Sequence, residues 1–173
     1  MIRRFEHNDL DEVMSIWFHA NTEAHSFIES DYWRSNYEFV KEMIPKAEVF
    51  VAEADGKIRG FIGLIDTYIA GIFVKNTEQS QGIGTELLQA VMETRDILSL
   101  NVYKKNARAV MFYQYCGFRI VNQVIDENTS EEEYTMEWIK NAGHNSNTDV
   151  PDEINRSIED LVEKIDTNDD SKN

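Results

Sequence analysis

Leu10, Val13, Met14 and Trp17 recur at three- and four-residue intervals, the period of a helix with one buried stripe, and Asp9 stands where its N-cap belongs. Ile2 to Phe5 before it reads as a short strand. Thr22 to Ser30 reads as a connection, and Tyr32 to Met43 as a second helix stopped by Pro45. Val49 to Ala54 and Ile58 to Ile65 then read as strands. Asp55-Gly56 joins them, two residues that tolerate positive φ and so favour a hairpin. After Asp66-Thr67, Tyr68 to Val74 is a nearly unbroken apolar run, which predicts a central strand buried on both faces. Leu87, Leu88, Val91 and Met92 mark a helix from Thr85. Ile97 to Val102 is a further central strand. Asn106 can cap a helix carrying Ala109, Val110, Phe112 and Tyr113, and Gly117 can end it. Phe118 to Ile125 and Tyr134 to Ile139 read as closing strands. The predicted order is βααβββαβαββ, a mixed α/β domain without internal repeats.

The pattern changes past Lys140, which sets a domain over 1–140 and an acidic extension over 141–173. Asn141 to Val150 is polar and linker-like. Ile154, Ile158, Leu161 and Ile165 allow a short amphipathic helix over 152–166, with Pro151 near its start. Asp166 to Asn173 has the composition of a disordered end.

The chain has 173 residues, enough for one domain with a real core, and 42% are apolar. Its first residues lack the apolar run of a signal peptide, and no stretch approaches the roughly 20 apolar residues of a membrane span. Cys116 is the only cysteine, so no intramolecular disulfide can form. Together these features predict a cytoplasmic location. Net charge is −15, which argues against nucleic acid and anionic membranes as partners. It favours a cationic amine or a basic peptide, although acidity also serves plain solubility. There is no Cys/His cluster with metal spacing, so no metal is expected.

The segment Gln79-Ser80-Gln81-Gly82-Ile83-Gly84 lies between the strand ending at Val74 and a helix beginning near Gly82. Unpaired N–H groups and the positive end of the macrodipole make such a helix start a phosphate site. Glycines at 82 and 84 leave no Cβ to hold a phosphate off the backbone. The alternative reading of both glycines is close helix–strand packing. The Walker and dinucleotide-binding fingerprints are absent.

QSQGIG resembles the Q/R-x-x-G-x-G/A signature of the GNAT superfamily of N-acetyltransferases. IAGIFV upstream is similar to the family's cofactor-binding strand. LNVYKKNARAVMFYQYCGF downstream is similar to its second cofactor segment, with Asn106, Phe112-Tyr113 and Gly117-Phe118 in order. The resemblance runs from Met1 to about Lys140. It looks closest to small single-domain bacterial members, several of which modify protein amines, and HSFIESDYWR (25–34) resembles that subgroup.

The resemblance implies a GNAT fold: a central mixed, mostly antiparallel twisted sheet of about six or seven strands flanked by about four helices. It implies acetyl-CoA as donor and direct attack by a primary amine without a covalent enzyme intermediate. The amine would be a protein lysine or N-terminus, or a small cationic amine. Backbone groups of Ile72, Phe73 and Val74 would pair with pantetheine. N–H groups of Ser80, Gln81, Gly82, Ile83, Gly84 and Thr85 would cradle the pyrophosphate. Asn106 would contact the pantetheine arm, cap its helix, or both.

Tyr113 occupies the family position of the phenol that protonates the departing sulfur, with Tyr115 as the fallback. A phenol near pKa 10 is still protonated at pH 7 and can donate. The base is open. The glutamate that several relatives carry in the strand before the cap is Asn101 here, so water, His25, Glu29 or Asp66 must serve. His25, Glu29 and Tyr68 are placed on the acceptor side by analogy. Cys116 is expected to be buried rather than nucleophilic. The missing glutamate also feeds a different reading, an acyl-CoA-binding sensor or interaction module with little catalysis. Monomer and homodimer are both compatible with the sequence.

Overall fold

The computed structural model describes residues 1–141, through β1 (Ile2–Arg4), α1 (Leu10–Ala24), α2 (Ser30–Met43), β2 (Glu48–Ala54), β3 (Lys57–Ile65), β4 (Tyr68–Val74), α3 (Ile83–Met92), β5 (Ile97–Tyr103), α4 (Ala107–Tyr115), β6 (Arg119–Asp126) and β7 (Glu131–Ile139). The element order is the one the hydrophobic pattern predicts. Asp55 and Gly56 take φ of 54° and 74°, closing β2 and β3 as a hairpin. Gly117 ends the α4 turn at φ 100°. Apart from Asn141, the acidic extension with its expected helix over 152–166 lies outside the described residues.

One seven-stranded sheet runs β1-β2-β3-β4-β5-β7-β6. Every pairing is antiparallel except β4 with β5. That parallel contact holds only Tyr68 opposite Ser99 and Ile69 opposite Leu100. Beyond it β4 follows β3 while β5 follows β7, so the sheet splits into a wedge. This corrects the expectation that β4 is buried on both faces. Tyr68 and Ile69 are buried, but Ala70 is exposed and Gly71 to Val74 are half-buried.

Two cores cover the two faces. Leu87, Leu88, Val91 and Val110 of α3 and α4 pack on Leu98, Leu100 and Met136. Val13, Met14, Trp17 and Trp33 of α1 and α2 pack on Val51 and Phe61. Each such side chain contributes about 1.5–3 kcal/mol by leaving water. Arg3 fixes the start of α1 through paired bonds of 2.8 and 2.9 Å to Asp9, whose carboxyl it holds below the usual range.

Several boundaries move, and three of them bear on the site. α1 continues through Ala24, so His25 is its C-cap and not part of a longer loop. α3 begins at Ile83, ahead of the expected Thr85. β7 begins at Glu131, three residues before the expected Tyr134, because Glu133, Thr135 and Glu137 point inward along one face. Polar residues on the inner face hide a strand from a hydrophobic pattern.

Candidate active site

A cleft of about 760 Å³ opens along the wedge. Its floor is the start of α3. Gly82 is the N-cap residue at φ 83°, and no side chain caps this end. The first intrahelical bond there is Glu86 N–H to the Gly82 carbonyl, at 3.0 Å. The amides of Ile83, Gly84 and Thr85 therefore face the cleft mouth without a side-chain acceptor. A Cβ on Gly82 would meet no atom within 4 Å. The left-handed φ and the open approach both require glycine here. Gly84 is different: its Cβ would stand 3.4 Å from the Phe112 ring, an ordinary contact, so packing against α4 does not by itself demand glycine there. Ser80 and Thr85 line the cleft, while Gln81 is exposed and lies outside its wall.

Arg108, in the first turn of α4, was not singled out from the sequence. It donates to Gln79 Oε1 at 3.1 Å and to Ser80 Oγ at 2.6 Å. The guanidinium thereby latches the loop and brings a positive charge to the amide cluster. Only the fold reveals it, because the contact spans 28 residues.

Ile72, Phe73 and Val74 form the opposite wall. Their pairing partners lie on β3 alone, which leaves the other edge of this strand segment open to the cleft. An extended amide-bearing chain can add to such an edge.

Asn106 stands at the far wall. Its Oδ1 accepts from Ala109 N–H at 3.3 Å, and its Nδ2 lies 3.2 Å from His25 Nε2. With Oδ1 engaged as a cap, Nδ2 is the donor and Nε2 the acceptor, so the imidazole is neutral. Burial pushes the His25 pKa down to about 4, against a smaller opposing contribution from the Asn21 backbone. An imidazole of that basicity is a weak proton acceptor, and its geometry is that of a brace for Asn106. Asn106→Ala should cost about 1–2 kcal/mol in urea unfolding, through the lost cap and the unpaired ring. A loss below 0.5 kcal/mol would show that the cap is idle.

Tyr113 is buried on the inner side of α4, against Phe112 and Phe118. Burial raises its pKa, so the phenol stays protonated at neutral pH. Tyr115 lies about 200° further round the helix and is 89% exposed, which removes it as the fallback. Cys116 is half-buried rather than buried, and desolvation raises its pKa.

Behind Tyr113 lies a second, narrower cavity of about 170 Å³. Tyr113, Asn106, His25 and Phe73 line both spaces. Tyr68, 5% exposed, lines the narrow one. Asn101 lines it too, accepting from Thr135 Oγ1 at 2.9 Å. Glu29 and Asp66 do not come to either space. Glu29 is an exposed residue at the start of α2, and Asp66 is exposed in the β3–β4 turn at φ 54°.

The narrow cavity holds two carboxylates the sequence reading passed over, Asp126 and Glu133, 5% and 7% exposed. Tyr103 donates to Asp126 Oδ2 at 2.7 Å. Among the described residues no group of His, Cys, Asp and Glu is arranged to hold a metal ion, and no helix is long and apolar enough to cross a membrane.

Comparison with known proteins places the family and the fold. A family model described as an acetyltransferase (GNAT) domain matches residues 45–120. The chain is 34% identical over 140 residues to the peptidyl-lysine N-acetyltransferase YiaC of Escherichia coli, covering 80% of this chain and 96% of that protein. It is 27% identical to the peptidyl-lysine N-acetyltransferase YjaB of the same organism, over 70% of this chain and 84% of that one. The solution structure of apo YjaB from Escherichia coli superposes with a TM-score of 0.73 at 23% identity, covering 81% of this chain and 97% of that chain. The structure of yncA from Salmonella typhimurium with acetyl-CoA does so with a TM-score of 0.60 at 17% identity, over 88% and 98%.

Proposed function

The chain belongs to the GNAT family of acetyltransferases and is an acetyl-CoA-dependent N-acetyltransferase, and from that premise we propose that its acceptor is the primary amine of a lysine side chain in a basic protein or peptide. The observation that carries this reading is the narrow cavity behind Tyr113. It has space for a slim unbranched chain. Aromatic rings of Trp17, Trp33, Tyr68 and Tyr103 suit an alkyl stem, and Asp126 and Glu133 suit its ammonium head. The overall charge of −15 would steer cationic partners toward the protein. The peptidyl-lysine activity named for two relatives supports the same choice.

The roles follow from position. The amides of Ile83, Gly84 and Thr85, with Arg108, would hold the pyrophosphate. The free edge of Ile72, Phe73 and Val74 would align pantetheine, leading the thioester to Tyr113. Acetyl-CoA when bound supplies an activated acetyl group. Tyr113 would hydrogen-bond the sulfur and protonate it as the carbon–sulfur bond breaks. Asn106, braced by His25, would hold the arm between them.

A panel of lysine peptides, peptides with only a free N-terminus, and polyamines tests the reading, with products identified by mass spectrometry. Lysine peptides with basic neighbours should show a kcat/KM at least about tenfold above the others, a margin of about 1.4 kcal/mol. Turnover confined to polyamines overturns the acceptor assignment. Coenzyme A binding without turnover on any amine favours the sensor reading instead.

A further inference from the structure

We infer that Glu133 is the base of the transfer, taking a proton from the acceptor's ammonium group inside the narrow cavity. Glu133 lies on the cavity wall together with Tyr113. Register places it opposite Tyr103 on β5 and Val124 on β6, on the face that looks into the wedge. It is 7% exposed, and no described residue donates a hydrogen bond or a cation to its carboxylate. Its neighbours on β7 are already engaged: Lys105 pairs with Glu131 and Lys104 with Glu132. A second polar group in the same wall is also unpaired. Trp33 is 3% exposed, and its Nε1–H has no partner among the described residues. An unpartnered carboxylate and an unpartnered donor in one cavity indicate a ligand that carries both a cation and an acceptor atom, as a lysine side chain on a peptide does.

The groups around Glu133 set its basicity. Asp126 on β6 contributes a negative charge. Tyr103 on β5, Tyr68 on β4, Tyr113 on α4 and neutral His25 beyond α1 contribute none, and among the described residues no lysine or arginine lines the cavity. Asp126 accepts from Tyr103 Oη and from Asn128 N–H, whereas Glu133 accepts from neither. Glu133 therefore holds a proton more readily than an ordinary carboxylate. Burial, then the Asp126 charge, pushes its pKa up to about 8. Such a group lies between an ordinary carboxylate and an alkyl amine near 10.4, where a base at neutral pH is most effective.

The protons balance. Ionised Glu133 takes one proton from the ammonium, and the freed nitrogen lone pair forms the carbon–nitrogen bond to the acetyl carbon. The carbon–sulfur bond breaks as Tyr113 protonates sulfur. The nitrogen's second proton restores the Tyr113 phenol, and Glu133 releases its proton to solvent. Without such an acceptor, deprotonating an alkyl amine at pH 7 would add roughly 4–5 kcal/mol to the barrier.

The inference rests on an amine acceptor, and the experiment keeps the two apart. Carboxyl NMR of the cofactor-free protein should show a group titrating near pH 8, absent in Glu133→Gln and moved to lower pH in Asp126→Asn. With whichever amine the wild type accepts, Glu133→Gln should lower kcat/KM at pH 7 about 100-fold with coenzyme A affinity retained. Activity should recover toward pH 10, as the free amine loses its own proton. Asp126→Asn should shift the rising limb of the wild-type profile to lower pH. An NMR titration that survives Glu133→Gln overturns the inference, as does a Glu133→Gln profile matching wild type. If Glu133→Gln does not fold, an unmoved limb in Asp126→Asn overturns it. A wild type that ignores lysine but uses another amine sinks only the acceptor assignment.

Discussion

Tyr113→Phe should lower kcat about 100-fold or more and leave coenzyme A affinity within about twofold, an expectation that follows from general-acid contributions of 10² to 10⁴. The substitution removes one oxygen from a ring that is otherwise packed against Phe112 and Phe118. The core contact survives, so folding stability should change little. The lost group belongs to a residue that lines both the wide cleft and the narrow cavity. A proton donor for sulfur must stay protonated until the carbon–sulfur bond weakens, and burial keeps this phenol protonated across the working range. Steady-state kinetics at saturating lysine peptide, with calorimetry for coenzyme A, reads both halves. Unchanged kcat would remove Tyr113 from the chemistry, and a parallel loss of affinity would make it a binding residue.

Gly82→Val should weaken coenzyme A binding at least about tenfold, a loss near 1.4 kcal/mol, while the protein still folds. Nothing in the protein obstructs the new side chain, because a Cβ there meets no atom within 4 Å. The space it would fill is the mouth of the cleft, where a phosphate must approach the amides of Ile83 and Gly84. A β-branched residue at φ 83° also strains the turn, by roughly 1–2 kcal/mol. Gly82→Ala separates these causes, since it carries most of the strain and little of the bulk. Calorimetry should rank affinity as Gly82 over Ala over Val. Equal affinities for all three would remove the cradle from this loop.

The wide cleft was legible in the chain because its parts are local. A strand, a glycine-bearing turn and a helix start follow one another within about 15 residues, and each carries its own signal in the first turn or the cap. Arg108 escaped notice because a surface arginine at a helix start has no signature until the loop it holds is in place.

The narrow cavity was not legible. Glu131-Glu132-Glu133 reads as a solvated run, and only the pairing of β7 with β5 turns Glu133 inward and leaves its neighbours to Lys104 and Lys105. His25 has the intrinsic pKa of a base, but its burial beside Asn106 takes that property away. Glu29 and Asp66 have suitable chemistry and the wrong place.

By itself, then, the sequence determined the order of the elements, the family and the loop that comes to line the wide cleft. Each of these depends on periodicity, caps and turns that act over a few residues. The tertiary structure alone decided how the wedge between β4 and β5 opens and which carboxylates line it. Strand register and desolvation act between residues tens of positions apart, and no local pattern encodes them.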